Sequence, residues 1–175
     1  MLKKLTALGI AVLAVFATTT GVATAADSRR LVAQAGWVVI HSHYNGNTQC
    51  LDGGAGAAGN GKQVVLWRCD GSPEQRWYSD DNFRLINGRH QTLCLDADTN
   101  GGGANGTKVQ LWQCNWESQQ RWFMRANDLA IYNERFHAGY NVVLDRDINV
   151  PGNGARAQLW QKNFQSQQWW WIEGV

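Results

Sequence analysis

The sequence predicts an all-β domain of three equivalent units, each with four strands, packed around a pseudo-threefold axis. First, one series of landmarks occurs three times, and the tryptophans of its central Leu-Trp pair are 45 and then 48 residues apart. Second, short runs rich in Val, Leu, Ile and Trp lie between Gly, Asn and Asp turns, which is typical of strands. Because no unit can bury its apolar face alone, the three must share one core. An open solenoid is the alternative, but three units without a distinct capping segment favour the closed arrangement.

The N-terminal segment has the layout of a secretory signal peptide. Lys3 and Lys4 precede an apolar run from Leu5 to Ala17, and Ala23-Thr24-Ala25 supplies small residues for cleavage. The run has thirteen residues, whereas a membrane-spanning helix needs about 20. A retained anchor is the alternative. We therefore expect a secreted, extracellular protein, divided into a signal peptide (1–25), a mobile tail (26–35) and one domain (36–175) with repeats at about 36–80, 81–125 and 126–173.

Each unit shows the landmarks in the same order. A Cys-Leu-Asp or Val-Leu-Asp triplet comes first, a Leu-Trp pair follows, and Gln-x-Trp begins eight residues after the tryptophan of that pair. The triplets end at Asp52, Asp96 and Asp145, the pairs at Trp67, Trp112 and Trp160, and Gln-x-Trp at Trp77, Trp122 and Trp170.

Four strands are predicted in each unit, and the turn residues between them set their limits. In the first unit they are Trp37–Ile40, Cys50–Leu51, Val64–Trp67 and Trp77–Tyr78. In the second they are Phe83–Ile86, Leu93–Leu95, Val109–Trp112 and Trp122–Met124. In the third they are Leu129–Ile131, Val142–Leu144, Ala157–Trp160 and Trp169–Ile172.

Charge and cysteine content limit the partners and the chemistry. Of the 16 Lys and Arg, two lie in the signal peptide, so the remaining chain balances its 14 Asp and Glu. Without a basic patch, neither a nucleic acid nor a membrane is expected as partner. Four cysteines allow three pairings. The local pairs Cys50–Cys69 and Cys94–Cys114 are predicted, because they close similar loops in equivalent units. Zinc is the competing interpretation, but there is no CxxC and an exported chain favours disulfides.

The three in-phase Gln-x-Trp triplets, each preceded by Leu-Trp and Cys/Val-Leu-Asp, resemble the ricin B-chain-type lectin family, which includes the family 13 carbohydrate-binding modules. The resemblance covers about residues 36 to 173 and implies a β-trefoil. It also implies that Trp77, Trp122 and Trp170 are core residues, and that sugar contacts come from the Asp, the Leu-Trp tryptophan and polar residues near Gln-x-Trp.

These candidate residues suit a sugar chemically. An exposed ring can cover the C–H face of a pyranose, a carboxylate can accept strong hydrogen bonds from its hydroxyls, and amides can both donate and accept. The second unit offers the fullest set: Asp96, Gln110, Trp112, Asn115, Gln119 and Gln120. The third offers Asp145, Gln158, Trp160, Asn163, Gln167 and Gln168, but Val143 and Lys162 replace its cysteines. The first offers Asp52, Trp67, Asp70 and Gln75, with Val65 and Glu74 in place of two amides.

The predicted function is that of a secreted, multivalent, metal-independent lectin module without enzymatic activity or cofactor. The resemblance implies galactose-type sugars or polysaccharides such as xylan as ligands, and a separate enzyme or toxin chain as a companion. Catalysis is not expected, because a glycosidase needs two carboxylates on one bond and these carboxylates are one per unit. His41 and His43 alternate on one strand but have no further ligand at suitable spacing, so no metal is expected. A monomer is the default. The alternative is a protein-binding β-trefoil, a protease inhibitor or toxin subunit, in which the tryptophans beside Asp96 and Asp145 are buried.

Overall fold

The computed structural model describes residues 29–31, 35–44, 46, 48–125 and 128–175. The predicted signal peptide therefore lies outside the described residues. In the predicted mobile tail, Arg29–Leu31 form a short strand, β1, which pairs with residues 123–125. That part of the tail is thus paired with the domain.

All twelve predicted strands are found. The first unit contains β2 (Gly36–Ser42), β3 (Gln49–Asp52), β4 (Lys62–Gln63), β5 (Val65–Arg68) and β6 (Arg76–Ser79). The second contains β7 (Leu85–Asn87), β8 (Leu93–Ala97), β9 (Thr107–Gln113) and β10 (Trp122–Arg125). The third contains β11 (Ile131–Asn133), β12 (Val142–Arg146), β13 (Ala155–Gln161) and β14 (Trp170–Gly174). One four-residue helix, His137–Tyr140, precedes β12.

Three predicted strands begin later than expected, and one of them, β14, does so by a single residue, at Trp170 and not at Trp169. β7 starts at Leu85 and not at Phe83, because Phe83 has a φ of 63° and belongs to a turn in which its N–H donates to the carbonyl of Asp80. β11 starts at Ile131 and not at Leu129, which is exposed. The third strand of the first unit is divided at Val64 into β4 and β5, so that it pairs with β9 on one side of the break and with β13 on the other.

The first and last strands of the units form a closed barrel. β2 pairs with both β14 and β6, β6 with β7, and β10 with β11. Two further contacts connect the remaining neighbouring strands. A bridge joins Arg84, just before β7, to Arg121, just before β10. The N–H of Trp170 in β14 donates to the carbonyl of Leu129, just before β11. The middle strands form hairpins, β3–β5, β8–β9 and β12–β13, which pair with one another at one end. This arrangement is a β-trefoil, as predicted.

The core lies inside the barrel and beneath the hairpins. Trp77, Trp122 and Trp170 are fully buried there. Each indole N–H donates to a backbone carbonyl of its own unit, at 2.9–3.0 Å, and the acceptors are Leu51, Leu95 and Leu144. The three tryptophans therefore fill the core and tie each hairpin to the barrel. Both predicted disulfides are present, Cys50–Cys69 and Cys94–Cys114.

Candidate carbohydrate site

Each candidate carboxylate lies on the outer face of a hairpin, beside the Leu-Trp tryptophan of its unit. Alternate residues of a strand point to the same face. In the second hairpin, Asp96 is opposite Gln110 and Cys94 is opposite Trp112, whereas Leu95 points into the core. The third hairpin repeats this register with Asp145 opposite Gln158. The outer face of each hairpin, with the loop that follows it, is called a lobe below, and the lobes are numbered by unit.

Amide side chains hold the carboxylates of the second and third lobes. The two oxygens of Asp96 accept hydrogen bonds from the Nε2 groups of Gln110 and Gln120, each at 3.0 Å. Asp145 accepts equivalent bonds from Gln158 and Gln168 at 2.9 and 3.0 Å. Each oxygen of a carboxylate has two acceptor positions, so both groups keep acceptor capacity for a ligand while their orientation is fixed.

The glutamine of Gln-x-Trp lies beneath the carboxylate. Gln75, Gln120 and Gln168 are buried, and the Nε2 group of each also donates to a backbone carbonyl at the end of the third strand of its unit. Their Oε1 atoms accept from the backbone N–H groups of Asp70, Asn115 and Asn163. The resemblance implies sugar contact by these glutamines, but the structure gives them partners within the protein. They orient the carboxylate.

The residues Asp70, Asn115 and Asn163 lie at the exposed rim. The Oδ1 atom of each accepts a hydrogen bond from the backbone N–H two residues later, at 2.9–3.1 Å. These turns fix the rim loop. Gln119 and Gln167 are buried beside them, and Gln119 Oε1 has no hydrogen-bond partner among the described residues.

Burial changes the acidity of two of the carboxylates. Desolvation raises the pKa of Asp145 to about 6, and the hydrogen bonds from Gln158 and Gln168 offset only part of this effect. The pKa of Asp96 is raised for the same reason, against the hydrogen bonds from Gln110 and Gln120. Both carboxyl groups are thus harder to ionise than a carboxyl group in water.

The tryptophans of the lobes are open to solvent to different extents. Trp67 is 44 % exposed and Trp112 is 37 % exposed, whereas Trp160 is half-buried. An accessible indole next to a fixed carboxylate is the combination that a pyranose needs, since the ring offers apolar contact and the carboxylate accepts hydrogen bonds.

The first lobe contains a cleft beside its carboxylate and tryptophan, although the second lobe has the fullest set of predicted residues. In the other lobes a glutamine before Leu-Trp donates to Oδ1 of the carboxylate. Val65 has this position in the first lobe and cannot donate, and Asp52 Oδ1 accepts from the backbone N–H of Gly54 at 2.6 Å instead. Asp52 Oδ2 accepts from Gln75 at 3.0 Å. The cleft has a volume of about 280 Å³. It is lined by Asp52, Gly54, Ala55, Val65, Trp67, Asp70, Ser72 and Glu74.

The sequence model of the ricin-type beta-trefoil lectin domain matches residues 36–170. The chain belongs to the ricin-type β-trefoil lectin family. No curated protein sequence matches it significantly.

Solved structures share the fold of this lectin domain at low identity. The designed threefold-symmetric protein ThreeFoil is 20 % identical, with a TM-score of 0.66, over 80 % of this chain and 99 % of that one. The C-half of the earthworm R-type lectin, solved with GalNAc, is 20 % identical, with a TM-score of 0.60, over 80 % and 99 %. The agglutinin from Abrus precatorius is 19 % identical, with a TM-score of 0.65, over 79 % of this chain, which spans 48 % of that protein.

The third lobe of this lectin domain has a polar network where the other lobes have disulfides. Lys162 donates to Asp128 and to the hydroxyl of Tyr132, and that hydroxyl donates to Asp128 at 2.6 Å. The N–H of Lys162 also bonds the Asn141 carbonyl, just as Cys114 bonds Thr92 in the second lobe. The hairpin therefore keeps its backbone geometry without a covalent link.

Two aromatic residues at the lobes were not identified from the sequence. Trp116 and Phe164 follow the rim residues Asn115 and Asn163, are exposed, and have φ values of 66° and 60°. Gly71 has this place in the first lobe. Bulky residues rarely adopt such a φ, so holding these two rings at the rim costs conformational free energy. Their common position after the rim residue was the available signal.

His41, for which the sequence shows no further metal ligand at suitable spacing, has two cysteine sulfurs as neighbours in the structure. It is half-buried, and its Nδ1 atom lies 3.5 and 3.6 Å from the sulfurs of Cys50 and Cys69. Three groups that can bind metals meet here, but the two sulfurs are joined in the disulfide.

In the part of the chain that the structure describes, no helix has the length and apolar character to cross a lipid bilayer.

Proposed function

We propose that this domain is a secreted, multivalent and metal-independent lectin that binds neutral sugars through its three lobes. The observation that carries the proposal is the repeated pair of an accessible indole and a fixed, buried carboxylate, formed by Trp67 with Asp52 and Trp112 with Asp96. Ricin-type relatives have been solved with GalNAc and with N-acetyl-D-lactosamine, which supports galactose-type ligands. Polysaccharides such as xylan are the second ligand class.

A binding function without catalysis is proposed, because the second and third lobes each present one oriented carboxylate, whereas a glycosidase needs two at one bond. In the first cleft the two carboxylates beside Asp52 have partners within the protein: Asp70 accepts from the N–H of Ser72, and Glu74 pairs with Arg89. The rival function, a protein-binding β-trefoil, requires that the tryptophans beside Asp96 and Asp145 are buried. Trp112 is 37 % exposed, which favours sugar binding. A monomer suffices, since the barrel closes within one chain. The predicted signal peptide is the reason for proposing secretion, and an enzyme or toxin chain is the proposed companion.

The test is a glycan array followed by titration of tryptophan fluorescence with the sugars that bind. We expect a galactose-type or xylan-type ligand to change the tryptophan fluorescence. Trp112→Ala should remove the portion of this fluorescence change that comes from binding at the second lobe. The matched control is Trp37→Ala, because Trp37 is equally exposed at 39 % but lies on barrel strand β2. No glycan bound on the array, or equal losses in both variants, would refute the proposal.

A further inference from the structure

A row of directly opposed residues crosses four strands on the outer surface and begins at the tryptophan of the first lobe. Trp67 on β5 is opposite Cys50 on β3, Cys50 is opposite His41 on β2, and His41 is opposite Trp171 on β14. Opposed residues in neighbouring strands project to the same side of a sheet. These four residues, called the first row, therefore share one face with the first lobe.

The residues of the first row are joined by contacts, and its two ends are exposed, whereas Cys50 is fully buried and His41 is half-buried between them. The ring of His41 stacks on Trp171, with 4.6 Å between centroids, and its other edge contacts the Cys50–Cys69 disulfide. Strands lie about 4.8 Å apart, so the row spans roughly 14 Å from Trp67 to Trp171. That span suits a short oligosaccharide better than a single sugar ring.

The two other lobes have equivalent rows, but their far ends differ. The second row runs from Trp112 through Cys94 and Ile86 to Tyr78, and the third from Trp160 through Val143 and Tyr132 to Phe123. Tyr78 is half-buried against Trp37. Phe123 is only 4 % exposed and packs against Tyr132 and His137. Trp171 is 47 % exposed, so among the three rows of the described chain the first is the one whose fourth residue is an exposed ring. In the second row the exposed ring is Trp37, one strand further on and opposite Tyr78.

A carboxylate accompanies this open ring. Glu173 lies two residues beyond Trp171 on the outer face of β14, and its side chain is about half exposed. His41 Nε2 lies 3.0 Å from Glu173 Oε2, which fixes the carboxylate near the indole. The far end of the first row thus repeats the combination of indole and carboxylate found in the first lobe.

We propose that the first lobe and Trp171 bind one oligosaccharide chain together, with one sugar in the cleft beside Trp67 and a later sugar of the same chain on Trp171. This inference rests on the proposed lectin function. It makes the first lobe selective for chain length, whereas the second and third lobes accept a terminal sugar alone.

The experiment measures how affinity depends on ligand length in a variant with one working lobe. Trp112→Ala and Trp160→Ala silence the other lobes at solvent-accessible positions. Galactose and its β-1,4-linked oligomers, and xylose and its β-1,4-linked oligomers, are then titrated by calorimetry. We expect the tetrasaccharide of the bound series to bind about five- to tenfold more tightly than the monosaccharide, the range expected for one aromatic stacking contact.

Trp171→Ala in this background should abolish the gain with length and leave monosaccharide affinity intact, and Trp171→Phe should restore part of the gain. Trp37→Ala is the control, because Trp37 is four residues from His41 on the same face of β2, roughly 13 Å from the row. It should preserve the gain, and thermal unfolding confirms that each variant is folded. Monosaccharide binding without a gain, or a gain that survives Trp171→Ala, would overturn the extended site alone. Absence of any binding that depends on Trp67 in this variant would refute a sugar site in the first lobe, whereas the lectin proposal itself is refuted if the unmodified domain binds no glycan on the array.

Discussion

Asp145 shows how burial sets the pH range of a candidate binding residue. Its pKa is raised to about 6 because burial disfavours the charged form. The folded state therefore binds this proton more tightly than the unfolded chain does. As pH rises from about 4 through 6, the carboxyl group must ionise within the fold, and roughly 3 kcal/mol of stability that is present at lower pH is lost.

Sugar binding at the third lobe should follow the opposite course. A carboxylate accepts hydroxyl hydrogen bonds more strongly than a neutral carboxyl group, so we expect affinity to fall as pH drops below about 6. The measurement is a titration with the bound sugar on both sides of this pH, in a variant whose other lobes are silenced by Trp67→Ala and Trp112→Ala. Asp145→Asn in this background should make the affinity weaker and independent of pH. An unchanged affinity across the range would contradict the assigned role of Asp145.

Phe164 carries backbone strain at the rim of the third lobe. Its φ of 60° lies in the left-handed region, which costs a residue with a Cβ atom about 1–2 kcal/mol. Gly71 at the equivalent place avoids this cost. We expect Phe164→Gly to be more stable than Phe164→Ala by about 1 kcal/mol, although glycine normally destabilises. Chemical denaturation of both variants measures the difference, and a more stable alanine variant would show that the strain is absent.

At the scale of elements, the network of Lys162, Asp128 and Tyr132 takes the place of a disulfide. Burial alone would raise the pKa of Asp128, but hydrogen bonds from Lys162, Tyr132 and the N–H of Ala130 outweigh it and hold the pKa below the usual value. The stabilisation is therefore complete above the unfolded pKa of about 4 and is lost as pH falls through the lower folded value. The network links the end of β13 to the start of the third unit.

We expect Asp128→Asn to reduce the free energy of unfolding by about 1–3 kcal/mol at neutral pH, because it weakens charge-assisted hydrogen bonds and leaves Lys162 without a carboxylate partner. The deficit should shrink in acid, where the wild-type carboxyl group is also protonated. Urea denaturation at several pH values measures both effects. Asp81→Asn, which changes an exposed carboxylate in a turn, is the control. A deficit that does not change with pH would mean that the ion pair contributes nothing.

The strands and disulfides could be predicted because their signals are local and occur in phase. Leu66 and Trp67 alternate between core and surface, and their pattern recurs in each unit. The network of the third lobe could not be predicted, because Lys162 contacts residues 30 and 34 positions earlier in the chain. The cleft of the first lobe was not predicted either. The sequence indicates only that Val65 and Glu74 replace two amides, whereas the cleft is also lined by loop residues such as Gly54, Ala55 and Ser72.

At the scale of the whole molecule, the hairpins meet at the pseudo-threefold axis, where a side chain joins all three units. Gln63 Nε2 lies 2.7–2.9 Å from the carbonyl oxygens of Val64, Val109 and Ala157. One of these residues comes from each unit. With the shared core, this contact holds the lobes at fixed positions around one barrel, so that a polymeric ligand meets binding sites in a constant arrangement.

Under the proposed lectin function, fixed lobes predict that a polysaccharide is bound by avidity. Once one lobe binds, the others meet the same chain at a high effective concentration, which can raise affinity by about 10²–10⁴ without new contacts. We expect Trp112→Ala to reduce the number of monosaccharide sites by one and to weaken retention on a matching polysaccharide by about tenfold or more. Calorimetry and affinity electrophoresis measure the two quantities, with Trp37→Ala as control. If retention on the polymer falls only in proportion to the number of sites, the lobes act independently and the domain does not use avidity.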